Sequence, residues 1–333
     1  MKLILDVDTG IDDALALLYA AASPEVELRA ATCVMGNIGV DLVVANTLSV
    51  LAMAGMDGVE VARGAERPLV REHRPSPQVH GPRGLGGADP APARASVSER
   101  AAARVIVETA RAHPGEVLLV ATGPLTNVAR ALSEEPGLPA LLGGFALMGG
   151  AYARAGNITP AAEANIWVDP EAAASVFRAF SGAAVLPLCV GLDVTQQVRM
   201  TTADLEAVCA PAPSSALAAF LHDAVGFYIE FYERSGSSKG ASMHDPLALA
   251  IALDPSLAEL RTARVEVECD GRWTRGMTVA NFGEGRQPEG WPQDRPENRP
   301  ENRENARVAL GVDAGAFSAR FQERLRGLVE ARA

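Results

Sequence analysis

Lysine is nearly missing from this 333-residue chain: Lys2 and Lys239 are the only two. Almost all positive charge is therefore arginine, and a mechanism needing a catalytic lysine has two candidates to choose from. Basic side chains are also outnumbered, 30 against 41 acidic ones, for a net charge of −11. Binding a polyanion needs clustered Lys and Arg, so neither nucleic acid nor an anionic membrane is expected as a partner. The four cysteines, Cys33, Cys189, Cys209 and Cys269, lie far apart with no C-x-x-C pair. They read as reduced, mostly buried thiols and not as a disulfide framework. No apolar run approaches the ~18 residues that would span a bilayer. The few apolar residues before Asp6 are too short for a signal-peptide core. A cytoplasmic protein is expected.

Hydrophobic residues make up 48% of the chain, enough for a substantial core. They come in a recurring order. KLILDV at residues 2–7 is a nearly continuous apolar run of the kind buried on both faces of a parallel sheet, and the helical stretch ALALLYAAA follows. LRAATCV leads to VDLVVANTLSVLAMAG, EVLLVA to VARAL, FALMGG to PEAAASVFRAF, and AVLPLC to GLDVTQQ. This alternation predicts an α/β fold with a largely parallel, Rossmann-like central sheet flanked by helices. ARVEVECDGRWTRGMTVAN predicts a C-terminal β-hairpin turning at Asp270-Gly271, and a final helix is expected over 313–331. Two segments break the pattern. Residues 67–95, rich in Pro, Gly and Arg, are expected to form a mobile active-site loop. Residues 284–305 contain PENRPENRENAR, a charged repeat expected to be a solvated insertion. No linker divides the chain, so a single domain over 1–333 is expected.

The strongest chemical signal is Asp6-Val7-Asp8-Thr9-Gly10-Ile11-Asp12-Asp13, four carboxylates in eight residues at the end of the first apolar run. Two like charges ~4 Å apart repel by roughly 4 kcal/mol at an effective dielectric of ~20, so such a cluster calls for a cation or protons. Hard oxygen ligands suit Ca²⁺ or Mg²⁺. A solvated helix cap would account for Asp12 or Asp13 alone, but not for Asp6 and Asp8 within an apolar strand. An EF-hand loop fails, because its twelfth position counted from Asp6 is Leu17, not Glu. A phosphatase of the haloacid dehalogenase type shares the D-x-D start but needs a later lysine and a second acidic motif, and Lys239 has no such surroundings. The pattern D-x-D-[PT]-G-x-D-D-A matches the whole run through Ala14.

With that run, the sequence resembles the inosine–uridine-preferring nucleoside hydrolases. Further stretches carry the likeness in order: Gly36-Asn37 after the second strand, Ala121-Thr122-Gly123-Pro124-Leu125-Thr126-Asn127, Met148-Gly149-Gly150, Gly156-Asn157, Ala162-Glu163-Ala164-Asn165, Asp169-Pro170-Glu171-Ala172, Met243-His244-Asp245-Pro246, and Thr274-Arg275-Gly276 with Thr278-Val279. The resemblance implies cleavage of the N-glycosidic bond of a ribonucleoside, with water attacking an oxocarbenium-like ribosyl centre. It implies a Ca²⁺ held by Asp8, Asp13, the main-chain carbonyl of Thr122, and Asp245, with Asp8 as general base. Asp12, Asn37 and Asn165 would bind the ribose hydroxyls, and Asn157 and Glu163 the 5′-hydroxyl. It also suggests a homodimer or homotetramer.

Other readings of single residues stay open. Asp6 either orients Asp8 or bonds backbone groups. Asn37, Asn157 and Asn165 are also ordinary turn-formers. Met148 lines the sugar pocket or fills core space. His244, one residue before a proposed ligand, is the candidate acid for the departing base, with a structural hydrogen bond as the alternative. His80 either closes over the base or sits on the surface. Phe227, Tyr228, Phe231 and Tyr232 recur at helical spacing, which reads first as core, with Tyr228 or Tyr232 able to contact a base. Ala164 stands where many of these hydrolases carry an aromatic residue, which leaves the base preference open. Asn281 stands where Asp is common. Two competing functions are a Mg²⁺-dependent phosphatase and a protein that captures nucleosides or ribose through Ca²⁺ without turnover.

Overall fold

A computed structural model describes residues 1–236, 239–283 and 303–333. Most of the predicted insertion at 284–305 lies outside these residues. Its described end departs from the solvated segment expected there: Asn305 is buried, with hydrogen bonds to the N–H and C=O of Val265 inside the strand Ala258–Val267.

The apolar runs become strands β1 (Lys2–Val7), β2 (Glu27–Cys33), β3 (Glu60–Arg63), β4 (Val117–Ala121), β5 (Gly144–Met148) and β6 (Leu188–Val190). Two short strands, β7 (Arg199–Met200) and β8 (Ala241–Ser242), pair with each other, and β9 (Ala258–Val267), β10 (Thr278–Asn281) and β11 (Ala306–Val312) follow. Among the described residues the main sheet has nine strands in the order β10-β9-β11-β6-β5-β4-β1-β2-β3. Pairing is parallel from β3 through to β11, and β9 with its hairpin partner β10 adds an antiparallel edge. The expected largely parallel sheet with a C-terminal hairpin is what forms. The hairpin connection is longer than a two-residue turn at Asp270-Gly271, because pairing ends at Val267 opposite Thr278. Glu268 Oε1 instead accepts from the N–H groups of Asp270 and Gly271 and shapes a wider loop.

β1 explains why its sequence is apolar on both sides. Leu3, Leu5 and Val7 face one core layer, built with the helices Ile11–Ala21, Val40–Met53, Asp245–Leu253 and Ala314–Ala331. Ile4 faces the other, with Ala102–Ala112, Thr126–Glu134 and Pro170–Ala179. A strand covered on both faces by helices needs side chains that lose water twice over. DPLALAIAL, the helix Asp245–Leu253, is buried on nearly every side and is correspondingly apolar all round.

The sheet order places the site. From β1 the chain moves outward through β2 and β3, then returns to the opposite side of β1 to form β4 and β5. This reversal opens a crevice beyond the carboxyl ends of β1 and β4, where ligands bind in open α/β sheets. Segment 67–95 lies over it, carrying the short helix Pro77–His80. Leu85 and Ala88 of this segment are buried, and the N–H of Gly86 donates to the carbonyl of His80 at 2.8 Å.

Candidate active site

β1 ends at Val7, and the turn Asp8-Thr9-Gly10 runs into the helix Ile11–Ala21. Asp13 makes that turn: its Oδ2 accepts from the N–H of Gly10 at 2.9 Å and its Oδ1 from the N–H of Asp8 at 3.2 Å. Carboxylates are favoured there by the free N–H groups and dipole of a helix start. Asp245 enters in the same way at the first turn of Asp245–Leu253, followed by Pro246, a residue suited to that position. Two helix starts thus converge on the end of β1. One oxygen each of Asp12, Asp13 and Asp245 can lie within 4.8 Å of one another, and all three residues are buried.

Asp8 stands beside this group. Its Oδ2 accepts from the N–H of Asn37 at 2.7 Å, while its Oδ1 is buried without a partner. Asp12 Oδ1 is likewise buried and unpartnered, and the hydroxyl of Tyr228 donates to its Oδ2 at 3.2 Å. Burial, reinforced by the charge of Asp13, pushes Asp8 well above the usual carboxylate range. Burial raises Asp12 to about 6, and burial with the charges of Asp12, Asp13 and Asp8 raises Asp245 strongly. Unpaired carboxylate oxygens are costly to bury, and each of these effects is what an ion-binding cage experiences without its cation. The donor set, all hard oxygen, fits a divalent metal ion. The expected ligand set was Asp8, Asp13, Asp245 and the Thr122 carbonyl; the tightest carboxylate group includes Asp12, with Asp8 at its flank.

Thr122, just past β4, ties the two strand ends together. Its hydroxyl donates to Asp13 Oδ1 at 2.7 Å, and its carbonyl accepts from Asn165 Nδ2, also at 2.7 Å. Asp6 points away from this cluster into the opposite core layer, where its Oδ1 accepts from Thr32 and Asn127 at 2.6 and 2.8 Å. Burial raises it to about 7. Of the two readings of Asp6, neither describes these contacts, which are to side chains of β2 and of the helix Thr126–Glu134.

Above the carboxylates lies a pocket of about 230 Å³. Every proposed site residue except Asp8 and Asp13 lines it: Asp12, Asn37, His80, Thr122, Met148, Asn157, Glu163, Asn165, His244 and Asp245. Several already have tasks. Glu163 caps the helix Ala164–Val168, accepting from the N–H groups of Asn165 and Ile166, and also from that of Gly150. Asn157 Oδ1 accepts from the N–H of Ala164 at 3.0 Å, and Asn165 Nδ2 also reaches the carbonyl of Met148. Their turn-forming roles and their places on the pocket wall coexist. His80, read as either a lid or a surface residue, is buried, with Nδ1 3.2 Å from the N–H of Ile11 and 3.9 Å from Asp12 Oδ1. Burial lowers it to about 4, so it is neutral at pH 7.

His244 is neutral too, lowered to about 3 chiefly by burial, with the charge of Arg199 adding to it. Both ring nitrogens are engaged, Nδ1 with Thr195 Oγ1 and Nε2 with the hydroxyl of Tyr232, each at 2.8 Å. Tyr228, Phe231 and Tyr232, from the helix Ala216–Arg234, form an aromatic wall with His80, whose ring centroid lies 5.4 Å from that of Tyr228. The core reading of this stripe therefore holds only in part: Tyr228 is buried, yet it borders the pocket. Ser76, Gln78, Val79 and Ile158 complete the wall and were missed, since no motif marks them. His73, which carries no motif, has its Nε2 2.7 Å from the carbonyl of Gly36.

The geometry is an acidic floor under an aromatic wall, and comparison with known proteins indicates what it serves. The family described as inosine-uridine preferring nucleoside hydrolase matches residues 3–319. A Crithidia fasciculata protein named inosine-uridine preferring nucleoside hydrolase is 39% identical over 84% of this chain and 88% of its own length. The pyrimidine-specific ribonucleoside hydrolase RihA of Salmonella arizonae is 41% identical over 85% of this chain and 89% of its own. The solved purine-preferring ribonucleoside hydrolase from Gardnerella vaginalis superposes with a TM-score of 0.90 at 32% identity, covering 99% of this chain and 100% of that one. Neither the phosphatase nor the capture-only reading gains support from them. This chain belongs to the inosine-uridine preferring nucleoside hydrolase family and is an enzyme of ribonucleoside hydrolysis.

Proposed function

We propose that the pocket takes a purine or pyrimidine ribonucleoside with its ribose on the aspartate floor and its base against the aromatic wall, and that the metal is Ca²⁺. The observation that carries this reading is the pair of buried, unpartnered oxygens of Asp8 and Asp12 at the base of a pocket roofed by His80, Tyr228, Phe231 and Tyr232. Asp8, Asp13, the Thr122 carbonyl and Asp245 would hold the ion, with Asp12 close enough to join them. When bound, such an ion lowers the pKa of water and fixes hydroxyl oxygens of the substrate.

The chain's own groups account for the rest. Asp8 accepts a proton from the attacking water, whose oxygen bonds to the anomeric carbon as the C–N bond breaks toward the base. Asp12, Asn37 and Asn165 orient the ribose hydroxyls, and Asn157 and Glu163 the 5′-hydroxyl. Negative charge on the floor favours the cationic ribosyl centre over the neutral substrate. The departing base needs a proton. Neutral His244 relays this proton: Nε2–H passes to the Tyr232 hydroxyl, which borders the pocket, as that hydroxyl gives its own proton to the base, Nδ1 takes a replacement through Thr195 Oγ1, and Asp8 returns the proton of the attacking water to solvent. Met148 packs under the sugar, and segment 67–95 carries His80 over the base. We further read the protein as a single-domain cytoplasmic homodimer or homotetramer; no described helix is long and apolar enough to cross a membrane.

The test is a reducing-sugar assay with inosine, uridine, cytidine, adenosine and guanosine, with and without chelator. Ribose released from at least one nucleoside, abolished by chelation and restored by Ca²⁺, is the expected result. No release from any nucleoside would overturn the substrate reading, and full activity after complete metal removal would overturn the role of the ion.

A further inference from the structure

Away from the acidic floor lies a second cavity, of about 510 Å³, with the opposite electrostatics. Three guanidinium groups border it, from Arg71, Arg74 and Arg275, against one carboxylate, Glu72. Counting Glu171, which pairs with Arg71, three cations meet two carboxylates here, a local excess of positive charge in a chain of net charge −11. Arg71 is held in place by Glu171 at 2.9 Å and by the carbonyl of Cys269 at 2.8 Å. Arg275 is held by the carbonyl of Trp167 at 3.0 Å, with its guanidinium carbon 4.3 Å from the centre of that indole. Arg74 has no hydrogen bond or ion pair among the described residues, so its five N–H donors face the cavity or solvent.

The three cations are gathered without an equal number of anions. Burial and the nearby charges of Arg71 and Arg74 make Arg275 easier to deprotonate than an ordinary arginine. Packing fixes the arrangement as well: at Gly276, with φ +80°, an added Cβ would come 2.8 Å from the Cα of Trp167. The Arg275 turn is thereby pressed onto the short helix Ala164–Val168. Planar guanidinium forks anchored at two points, with a third free to swing, can donate from several directions to the oxygens of a tetrahedral phosphate. The nearby indole gives an apolar surface for whatever carries it.

We propose that Arg71, Arg74 and Arg275 form an accessory binding site for a small phosphate-bearing anion, separate from the nucleoside pocket. The two sites share no lining residue. They are nonetheless adjacent in sequence, since Asn165 borders one and Trp167, on the same short helix, borders the other.

Trp167 is the natural reporter. In protein with Trp273→Phe and Trp291→Phe, it becomes the only indole, and its emission is followed during titration with inorganic phosphate and, separately, ribose 5-phosphate, against chloride at equal ionic strength. Saturable binding of either phosphate is expected, weakened about tenfold or more by Arg74→Ala, whose side chain supports nothing else among the described residues. Tighter binding of ribose 5-phosphate than of phosphate identifies an organic phosphate as the ligand; equal binding identifies the phosphate group alone. No saturation by about 10 mM, unchanged affinity in Arg74→Ala, or displacement of phosphate by free ribose would each overturn the proposal. So would a change of sedimentation in Arg74→Ala with no phosphate binding, which would mark the cavity as a subunit contact.

Discussion

Replacing Gly36 by alanine tests whether Asp8 acts from the position the fold assigns it. Gly36 follows β2, and a Cβ placed there would lie 2.0 Å from Asp8 Oδ2 and 2.7 Å from its Cγ. Ordinary contact between such atoms is about 3.5 Å, so the carboxylate or the loop must yield by more than about 1 Å. The space on the other side is limited by Gly123, where an added Cβ would meet Asp8 Oδ1 at 2.9 Å. The displacement also strains the 2.7 Å hydrogen bond from Asn37 to Asp8. A reacting group moved by about 1 Å can lose roughly 100-fold in rate, and overpacking costs about 1–3 kcal/mol of stability. Gly36→Ala should therefore lower kcat about 100-fold, approaching Asp8→Asn, while thermal unfolding shows the protein still folded. Gly58→Ala, with no atom within 4 Å of the added carbon, is the control and should leave kcat unchanged. Steady-state kcat and KM on the preferred nucleoside, measured well below the unfolding transition, decide the matter. A folded Gly36→Ala protein with kcat within about twofold of the parent would refute the reasoning.

Tyr232→Phe removes the hydroxyl that His244 engages at 2.8 Å, and should lower kcat by about 100-fold with little change in KM; a raised KM at unchanged kcat would make Tyr232 a binding residue only. Because His244 and His80 are lowered to about 3 and 4, neither should place an inflection near pH 6.5 in the kcat profile, and one that disappears in His244→Gln would contradict their burial. Chelator-treated protein should lose stability between pH 6.5 and 8. A carboxyl group with a raised folded pKa binds more protons folded than unfolded, so its contribution falls as pH rises from the ordinary carboxylate range through the folded value; Asp12, at about 6, has lost most of its share by pH 6.5, and Asp8 and Asp245, raised well above the usual range by burial and the charges of neighbouring aspartates, carry the fall beyond it. The two lowered histidines act in the opposite direction, but only up to their ordinary value near 6.5, leaving the carboxylates alone above it. The melting temperature should drop over this window and recover with Ca²⁺; a flat profile without metal would show that the cluster is not electrostatically strained.

Much of the fold was open to reading because its signals are local. A strand covered by helices on both faces must be apolar throughout, as KLILDV is, and alternating units of that kind imply a parallel sheet. β3, only Glu60–Arg63, carries no such run, and β7 and β8 are two residues each, so nothing in the sequence announced them. The metal-binding candidates were legible for a related reason: Asp8, Asp12 and Asp13 are crowded into a single turn, where charge density is visible without coordinates. Ser76, Gln78, Val79 and Ile158 were not, because they reach the pocket from loops of ordinary composition.

The sequence by itself determined the class of fold and an acidic centre at the end of the first strand, since period, apolar runs and charge spacing are properties of the chain. Only the tertiary structure decided which charges meet. Asp245, more than two hundred residues from Asp13, joins it because two helices start at the same sheet edge. Tyr228 and Tyr232 border the pocket as well as the core because their helix packs across that edge, and His244 is neutral because it is buried there. Likewise the arginines at 71, 74 and 275 become one basic cavity only when the C-terminal hairpin folds back onto the helix bearing Trp167. Distance through space sets electrostatics and desolvation, and distance along the chain does not report it.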